Sequence, residues 1–340
     1  NNNGITGGFM FEFGQAFEPN VNNQFEDPAP GSGETAGNVD LISKDFKLPQ
    51  VVKYNIAVDQ KLPIWNLVAS ADFLYTDVLS DIYYENLNLG EPVGSYLGAD
   101  SRSFYDRRAE IDDTDGRIIL ASNTGGGYAY NATFTLRKPY ENGFAGQVAW
   151  TFGDSYKVFD GTSSQNSSQW RNIQTVNGKN SDLPVTRSDF ALGNRVTANV
   201  SYELRWSDNV KTTIGLFYEG RQSRPYSFTY REGRDLLNDD SRDNALMYIP
   251  ANIGEIQLAG DDPVAEWQRL DTFIESVDYL RERRGQYAER NGSRGIWSHV
   301  VDLKLLQDFS LNWGGKKHTF QLSADMFNFT NFINKDWGQR

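Results

Sequence analysis

Two acidic stretches of the chain have the residue types and spacing of a cation site. Residues 112–116 are DDTDG and residues 239–243 are DDSRD, so each stretch carries several carboxylates within five positions. Hard cations such as Ca²⁺ bind oxygen ligands, and a loop with oxygens at alternate positions can wrap around one. Neither stretch continues to a glutamate at the spacing that completes a calcium loop. Calcium binding and a solvated acidic loop are therefore both open alternatives.

Other reactive groupings are missing or incomplete in the sequence. Cysteine is absent, which excludes thiolate nucleophiles, disulfides and cysteine metal ligands. The two histidines, His299 and His318, lie in alternating segments, where we expect solvated or lumenal side chains and no Ser/His/Asp site. Residues 124–128, TGGGY, lack the Lys-Ser/Thr of a phosphate-binding loop and indicate a flexible approach to a strand. We therefore predict neither an enzyme nor a bound cofactor.

Alternation of apolar and polar residues dominates the rest of the sequence. Residues 130–154 contain two alternating runs around an Asn-Gly turn, with Phe134 and Trp150 on their apolar sides. This pattern predicts a β-hairpin. Three further pairs of runs repeat it, and a ninth strand is predicted at residues 8–13. The four predicted hairpins have short turns at residues 60–64, 138–143, 207–209 and 313–317.

The connections between the hairpins are long and polar, at residues 76–127, 154–194 and 231–296. The last of them contains a helical pattern at residues 263–284, where Asp262 suits the cap and a proline follows it. Arginines in the sequence RERR at its end suit the helix dipole, and a lid role is a second alternative. Four apolar residues of this helix are expected to pack on neighbouring loops: Trp267, Leu270, Ile274 and Val277.

Turn lengths and aromatic positions favour a membrane barrel over a soluble β-sandwich. Short turns at one end of a sheet and long loops at the other are typical of outer-membrane barrels. Aromatic residues form two predicted belts, as the two interfaces of a bilayer would select. The turn-side belt contains Trp65, Tyr140, Trp206 and Trp313, and the loop-side belt contains Tyr75, Tyr128, Phe152, Tyr218 and Phe327. The residues predicted to face lipid are Phe134, Val148, Trp150, Leu204, Leu216, Leu303 and Leu322.

Composition agrees with this fold and limits the partners. The mean hydropathy is −0.58, and no apolar run is long enough for a transmembrane helix. Half of each barrel strand faces water, so membrane barrels have this polar average. The net charge of −12 argues against nucleic acid as a partner. We predict an all-β, antiparallel transmembrane barrel in the outer membrane of a Gram-negative cell, with membrane lipid as a partner.

The predicted strands can close a small barrel by themselves or form part of a larger one. Eight strands are enough for a small closed barrel. Open edges cannot lie bare in lipid, because each unpaired backbone group there costs several kcal/mol. The final residues, DWGQR, indicate an external loop after a strand that ends near Phe329, and no returning strand follows. We therefore expect residues 1–340 to be part of a larger barrel.

Several segments resemble the C-terminal barrel region of Oar-like TonB-dependent outer-membrane receptors. They are LPQVVKYNIAVDQKLP at 48–63, LYTDVLSDIYYENLNL at 74–89, DGTSSQNSSQWR at 160–171, QYAERNG at 286–292 and FNFTNFINKDWG at 327–338. The resemblance implies a barrel of about 22 strands around an N-terminal plug. It also implies energy coupling through the TonB complex. The plug and the TonB-contacting segment are not within this sequence.

Two functions from different classes follow. The first is a receptor that transports a bulky ligand, such as a peptide, a protein or a large solute, across the outer membrane. The second is a surface structural or binding protein whose long loops hold extracellular partners. The resemblance favours the first function, and a plug domain upstream of this segment would distinguish the two. No ligand-binding residue can be assigned from the sequence.

Overall fold

The computed structural model describes residues 38–106, 116–231, 233, 235–240, 242–258 and 260–335. The strand predicted at residues 8–13 and the acidic stretch 112–115 lie outside these residues. In chain order the strands are β1 (Val39–Ile42), β2 (Gln50–Lys61), β3 (Val68–Asn86), β4 (Pro92–Ser95), β5 (Ser103–Tyr105), β6 (Ile118–Thr124), β7 (Tyr128–Glu141), β8 (Phe144–Lys157), β9 (Thr186–Arg187), β10 (Gly193–Ser207), β11 (Val210–Gln222), β12 (Pro225–Tyr226), β13 (Tyr248–Ile249), β14 (Gln286–Tyr287), β15 (Ser293–Arg294), β16 (Trp297–Trp313) and β17 (Lys316–Met326). The helices are α1 (Asn166–Arg171), α2 (Pro263–Ser276), α3 (Asp278–Arg281) and α4 (Phe329–Ile333), with a 3₁₀ turn at Ile253–Glu255.

The eight strands of the four predicted hairpins form one continuous antiparallel wall. Their order is β2-β3-β7-β8-β10-β11-β16-β17. Sequence neighbours therefore lie beside each other throughout, as in an up-and-down barrel. Within the part of the chain that the structure describes, no strand pairs with the outer side of β2 or β17. These two strands are the edges of the wall.

All four short turns lie at the same end of the wall, which confirms the predicted topology. Each antiparallel neighbour reverses the chain direction, so the turns after β2, β7, β10 and β16 fall on one side. The turn after β7 is Asn142-Gly143, with φ of 53° and 84°. A Cβ on Gly143 would also lie 2.7 Å from the carbonyl oxygen of Glu203. Only glycine meets both demands, which explains the Asn-Gly signal.

All four predicted turns differ in extent from the structure, and those predicted at 207–209 and 313–317 contain only residues 208–209 and 314–315. The turn predicted at residues 138–143 contains only two residues, because β7 continues to Glu141 after a bulge beyond Lys138. The turn predicted at 60–64 instead spans residues 62–67, with Trp65 and Asn66 in the left-handed region. Proline at position 139 lies within the strand, at this bulge, where its missing N–H costs no ladder hydrogen bond.

The wall has one apolar face and one mostly polar face. All seven residues predicted to face lipid lie on the apolar face, since their cross-strand partners share it: Phe134 pairs with Trp150, and Leu216 with Leu303. The apolar face is uncovered, and Phe134 is 47% exposed and Leu322 67% exposed. In a sandwich a second sheet would cover this face. No second sheet packs on it among the described residues, which contradicts the sandwich alternative.

Aromatic residues mark both ends of the apolar face. At the turn side, Trp65, Trp206 and Trp313 are each at least two-thirds exposed, and the Trp206 indole donates a hydrogen bond to Thr212 at 2.8 Å. At the loop side, Tyr54, Tyr75, Tyr128 and Tyr156 stack in a row across four strands, with ring centroids 6.4, 6.4 and 4.7 Å apart. Amphipathic rings prefer the bilayer interface. The two predicted belts are therefore present, but Tyr140 was wrongly included in the turn-side belt, because its hydroxyl donates to Glu203 of the polar face at 2.9 Å.

Both histidines lie on the apolar face, so the lumenal alternative was wrong for them. His299 stacks between Tyr218 and Trp297 at the loop side, and its Nδ1 lies 2.8 Å from the Tyr218 hydroxyl. His318 pairs with Leu311 at the turn side. Each is near a belt, where the headgroup region can hydrate an imidazole. Alternation places both histidines in phase with the apolar residues Val301 and Phe320, so the expectation of a lumenal side chain rested on residue type alone.

Above the wall, the long connections fold into a layer with two hydrophobic cores. Strand β3 continues to Asn86 and pairs there with β6, and β1 adds to β6 in parallel. The first core contains Tyr84, Leu89, Tyr105, Ile119, Ala121, Val158, Phe159, Trp170, Ile173 and Leu183. The second contains Ile249, Ile274, Leu280 and Ala288. The connections are therefore packed structure, which the sequence had indicated only for one helix. We call this region the loop layer.

The predicted helix at residues 263–284 is two helices. Asp262 caps α2 by accepting a hydrogen bond from Ala265 N at 3.1 Å, as expected. At Val277 the backbone is extended, with φ −118° and ψ 110°, and α3 begins after it. The break turns Val277 and Leu280 into the second core beside Ile274 and Leu270. Trp267 is half-buried and lies outside that core. No helix among the described residues is both long and apolar enough to cross a bilayer.

The two faces can be tested with adjacent residues of one strand. Phe134→Arg places a charge on the apolar face near the middle of β7, and we expect a loss of about 2–4 kcal/mol in the free energy of unfolding from lipid vesicles. Thr133→Arg is the matched control, because Thr133 faces the polar side and hydrogen-bonds Thr151 across the strands at 3.0 Å. It should cost clearly less. Equal losses for the two variants would contradict the assignment of faces.

Candidate functional site: the polar face and the loop layer

The polar face carries a balanced charge network at the turn side. Lys211 on β11 lies 3.2 Å from Glu203 on β10 and 3.3 Å from Asp308 on β16. Gln321 on β17 donates to the other oxygen of Asp308 at 2.7 Å, and Arg205 lies 2.7 Å from Glu203. Two cations therefore face two carboxylates across three strands, and Gln321 extends the network to a fourth. The network fixes the register of the strands and leaves no excess charge.

A pocket of about 480 Å³ lies at the loop end of the same wall. Arg195 on β10 and Arg221 on β11 are direct cross-strand partners on the polar face, and both line it. Arg224, which follows β11, is the third arginine of the lining. Phe190 and Leu192 complete its apolar part and are 63% and 45% exposed. We call this the arginine pocket.

The loop layer is fastened to the wall by arginines that converge on one carboxylate. Asp154, near the end of β8, accepts from Arg187 Nε at 2.9 Å and from Arg294 Nη2 at 3.0 Å. Arg187 also donates to the backbone oxygen of Asn291 at 2.9 Å. Arg290 donates to the backbone oxygens of Lys157 and Val158. Segments far apart in the sequence are thereby held over the loop end of the wall.

A buried ion pair joins two long connections inside the loop layer. The Lys179 ammonium contacts the Asp239 carboxylate, and both side chains are 1% exposed. Lys179 N donates to the second Asp239 oxygen at 3.1 Å, and the ammonium lies 5.6 Å from the centre of the buried Trp170 ring. Burial raises the pKa of Asp239, and Lys179 opposes that rise. The charge on Asp239 therefore depends on Lys179.

This pairing corrects the picture of residues 239–243 as a solvated acidic loop. Asp239 is buried, Asp240 lies 2.5 Å from Arg117 Nε, and Asp243 accepts a hydrogen bond from Gly233 N at 3.0 Å. The carboxylates thus bind cations and amides of the chain itself. Across the part of the chain that the structure describes, no group of three or more His, Asp or Glu is arranged for a metal ion.

Arginines also organise the helical part of the loop layer. Arg284 contacts Asp271 at 2.5 Å and Glu275 at 2.8 Å, and it donates to the Pro250 oxygen at 3.2 Å. Arg281 pairs with Asp278, and the Arg283 guanidinium lies 4.3 Å from the centre of the Tyr279 ring. The RERR sequence therefore anchors α2 and α3 to their surroundings. The helix dipole alone does not account for these contacts.

Sequence reasoning missed the arginine pocket and the role of α1. Arg195 and Arg221 are 26 positions apart, and only the strand register brings them together. Trp170 lies in the polar stretch SSQNSSQWRN, yet it is fully buried at the end of α1 and donates to Asn180 at 2.9 Å. A single tryptophan in a long polar segment is the signal that could have identified this buried anchor.

The Lys179–Asp239 pair gives a stability test of the loop layer. Removing one partner leaves a buried charge unpaired. We therefore expect Lys179→Met to lower the free energy of unfolding by about 3–5 kcal/mol. The double variant Lys179→Met/Asp239→Leu should recover most of this loss, because it removes both charges. Urea unfolding followed by hydrogen exchange of the backbone amides of α1 reports on this region. A cost below about 1 kcal/mol for the single variant would show that the pair is not a structural element.

Comparison with known proteins identifies the family to which this chain belongs. The family model described as "Outer membrane beta barrel domain" matches residues 1–336. No curated protein matches the chain. Among solved structures, the crystal structure of the outer membrane transporter YddB from Escherichia coli aligns with 88% of this chain at 12% identity and a TM-score of 0.44. The chain spans 31% of that transporter. A match over almost the whole sequence shows the family: the chain belongs to the outer membrane beta barrel domain family and is located in the outer membrane.

Proposed function

We propose that the complete protein is a TonB-driven transporter that moves a bulky ligand across the outer membrane. The observation that carries the proposal is the arrangement of the wall: a lipid-type face outside, a charged face inside, and a pocket at the loop end of that inner face. A ligand that enters from the loop side would meet the pocket before the rest of the polar face. We propose a transporter and not an enzyme.

The open edges of the wall support a large lumen as part of the proposal. Strands β2 and β17 have no outer partner among the described residues, and bare edges are too costly in lipid to persist. We therefore propose that further strands complete the wall. The resemblance of segments such as 48–63 and 74–89 to Oar-like receptors supports a barrel of about 22 strands with a plug. The same resemblance is the support for energy coupling through TonB.

The loop layer supports a bulky ligand. Its two hydrophobic cores and its buried ion pair give it a defined shape. A preformed surface reduces the entropy cost of binding a large partner. A small solute would need no such surface. We therefore favour a peptide or protein ligand.

A surface structural or binding protein is the second candidate function. The observation that favours it is the same ordered loop layer, which can hold an extracellular partner without transport. In that case no ligand would move along the polar face of the wall. The two candidates differ in their requirement for energy.

Ligand transport by the full-length protein in cells with and without TonB decides between them. We expect labelled peptide to accumulate, or to be exported, only in cells that contain TonB. A matched control is surface binding of the same peptide at low temperature, which should be equal in both strains. Transport at an equal rate in both strains would contradict energy coupling, and binding without any transport would favour the surface protein.

A further inference from the structure

The arginine pocket has an arrangement of charge that the chain itself does not balance. Arg195 and Arg221 are direct cross-strand partners, and like charges in that position repel each other. Glu219 lies between them, 2.6 Å from Arg195 and 4.0 Å from Arg221. One carboxylate thus serves two guanidinium groups. About half of each side chain remains exposed.

The third arginine adds to this excess. No acidic residue pairs with Arg224 within the described chain, and its side chain is exposed at the pocket. Asp189 is the acidic residue of the lining, and its carboxylate accepts a hydrogen bond from Asn291 at 2.6 Å. Three guanidinium groups therefore meet two carboxylates, one of which is already engaged. The balanced network at Glu203, Lys211 and Asp308 shows that this face can neutralise its charges elsewhere.

The apolar residues of the pocket restrict the kind of anion that fits. Phe190 and Leu192 are exposed beside the arginines. A volume of about 480 Å³ is large enough for several residues of a peptide or for a small organic molecule. A bare inorganic anion would leave the apolar part uncovered. A carboxylate with an apolar side chain next to it would use both parts of the pocket.

We propose that the arginine pocket binds an oxyanion group of the transported ligand, and that this group is a carboxylate of an acidic peptide segment with a neighbouring apolar side chain. Guanidinium groups bind carboxylates through paired, charge-assisted hydrogen bonds. The net charge of −12 on the chain disfavours acidic ligands elsewhere, so a positive pocket on the inner face selects where they bind. The inference rests on the proposed function, since the bound segment is taken to be part of the transported ligand.

Equilibrium binding to the full-length protein in outer-membrane vesicles from cells without TonB tests the proposal, because transport does not contribute there. The probe is a fluorescent hexapeptide of alternating Glu and Leu, and the comparison probe has Gln in place of Glu. We expect the Glu peptide to bind more tightly, with an affinity that falls as salt rises. Arg221→Gln and Arg224→Gln should each raise the Kd of the Glu peptide by about tenfold.

Arg205→Gln is the matched control variant. Arg205 is on the same strand and the same face as Arg195 but at the turn end of the wall, where it pairs with Glu203. It should leave the Kd unchanged. Each variant is also run unheated in detergent on a gel. Migration as the folded form, equal to that of the wild type, confirms that the barrel is intact. Three outcomes would each overturn the proposal. They are an equal rise in Kd for Arg205→Gln, an unchanged Kd for both pocket variants, and equal binding of the Gln peptide and the Glu peptide.

Competition with phenyl phosphate distinguishes the source of the oxyanion. We expect it to compete weakly, because it presents one anionic group and no peptide backbone. Competition stronger than that of the Glu peptide would overturn the peptide assignment in favour of a phosphate ester. Binding that is intact while transport proves independent of TonB would contradict the proposed function and leave the pocket assignment in place.

Discussion

The requirement that every backbone amide and carbonyl in a bilayer be hydrogen-bonded governs this structure. Each long strand satisfies its groups only through its lateral neighbours, so the eight strands must form one continuous ladder. Once the ladder exists, alternation assigns every side chain to one of two faces. Because one face contacts lipid, charged side chains must lie on the other face. The ladder pairs Phe134 with Trp150 on the lipid side of β7 and β8, and it pairs Arg195 with Arg221 on the polar side of β10 and β11. The pocket is a consequence of the same constraint.

Above the bilayer the chain follows the rules of ordinary soluble proteins. There the backbone can hydrogen-bond to water, so short strands and helices replace the ladder. Apolar residues bury in two cores, and Trp170, Ile249, Ile274 and Leu280 are almost completely inaccessible to solvent. The wall has the opposite distribution, with its large apolar residues on the surface. The wall and the loop layer thus bury apolar residues in opposite ways. Asp154, with Arg187 and Arg294, joins the two parts.

The sequence predicted what depends on local pattern. Alternation and turn residues identified eight strands and the side on which the turns lie, because both signals act over a few positions. It did not predict the extension of β3 to Asn86, since that segment is stabilised by β6, more than thirty positions away. The partner of Asp239 is likewise 60 positions distant. The break at Val277 follows from the core that the helix must reach. Local propensity cannot report contacts of this range, and the candidate site consists almost entirely of them.

Charge is distributed unevenly along the polar face, and the two ends have different physical roles. At the turn end, Lys211 and Arg205 are matched by Glu203 and Asp308, and such a network stabilises register without attracting a ligand. At the loop end, Arg195 and Arg221 share one carboxylate and Arg224 adds a further charge. An excess of positive charge at the loop end, in a chain of net negative charge, attracts an anion to that point. Release from the entrance then requires a second event that weakens this attraction. An energised movement elsewhere in the complete protein would supply such an event, which is why an unbalanced pocket at the loop end fits a driven transporter better than an open pore.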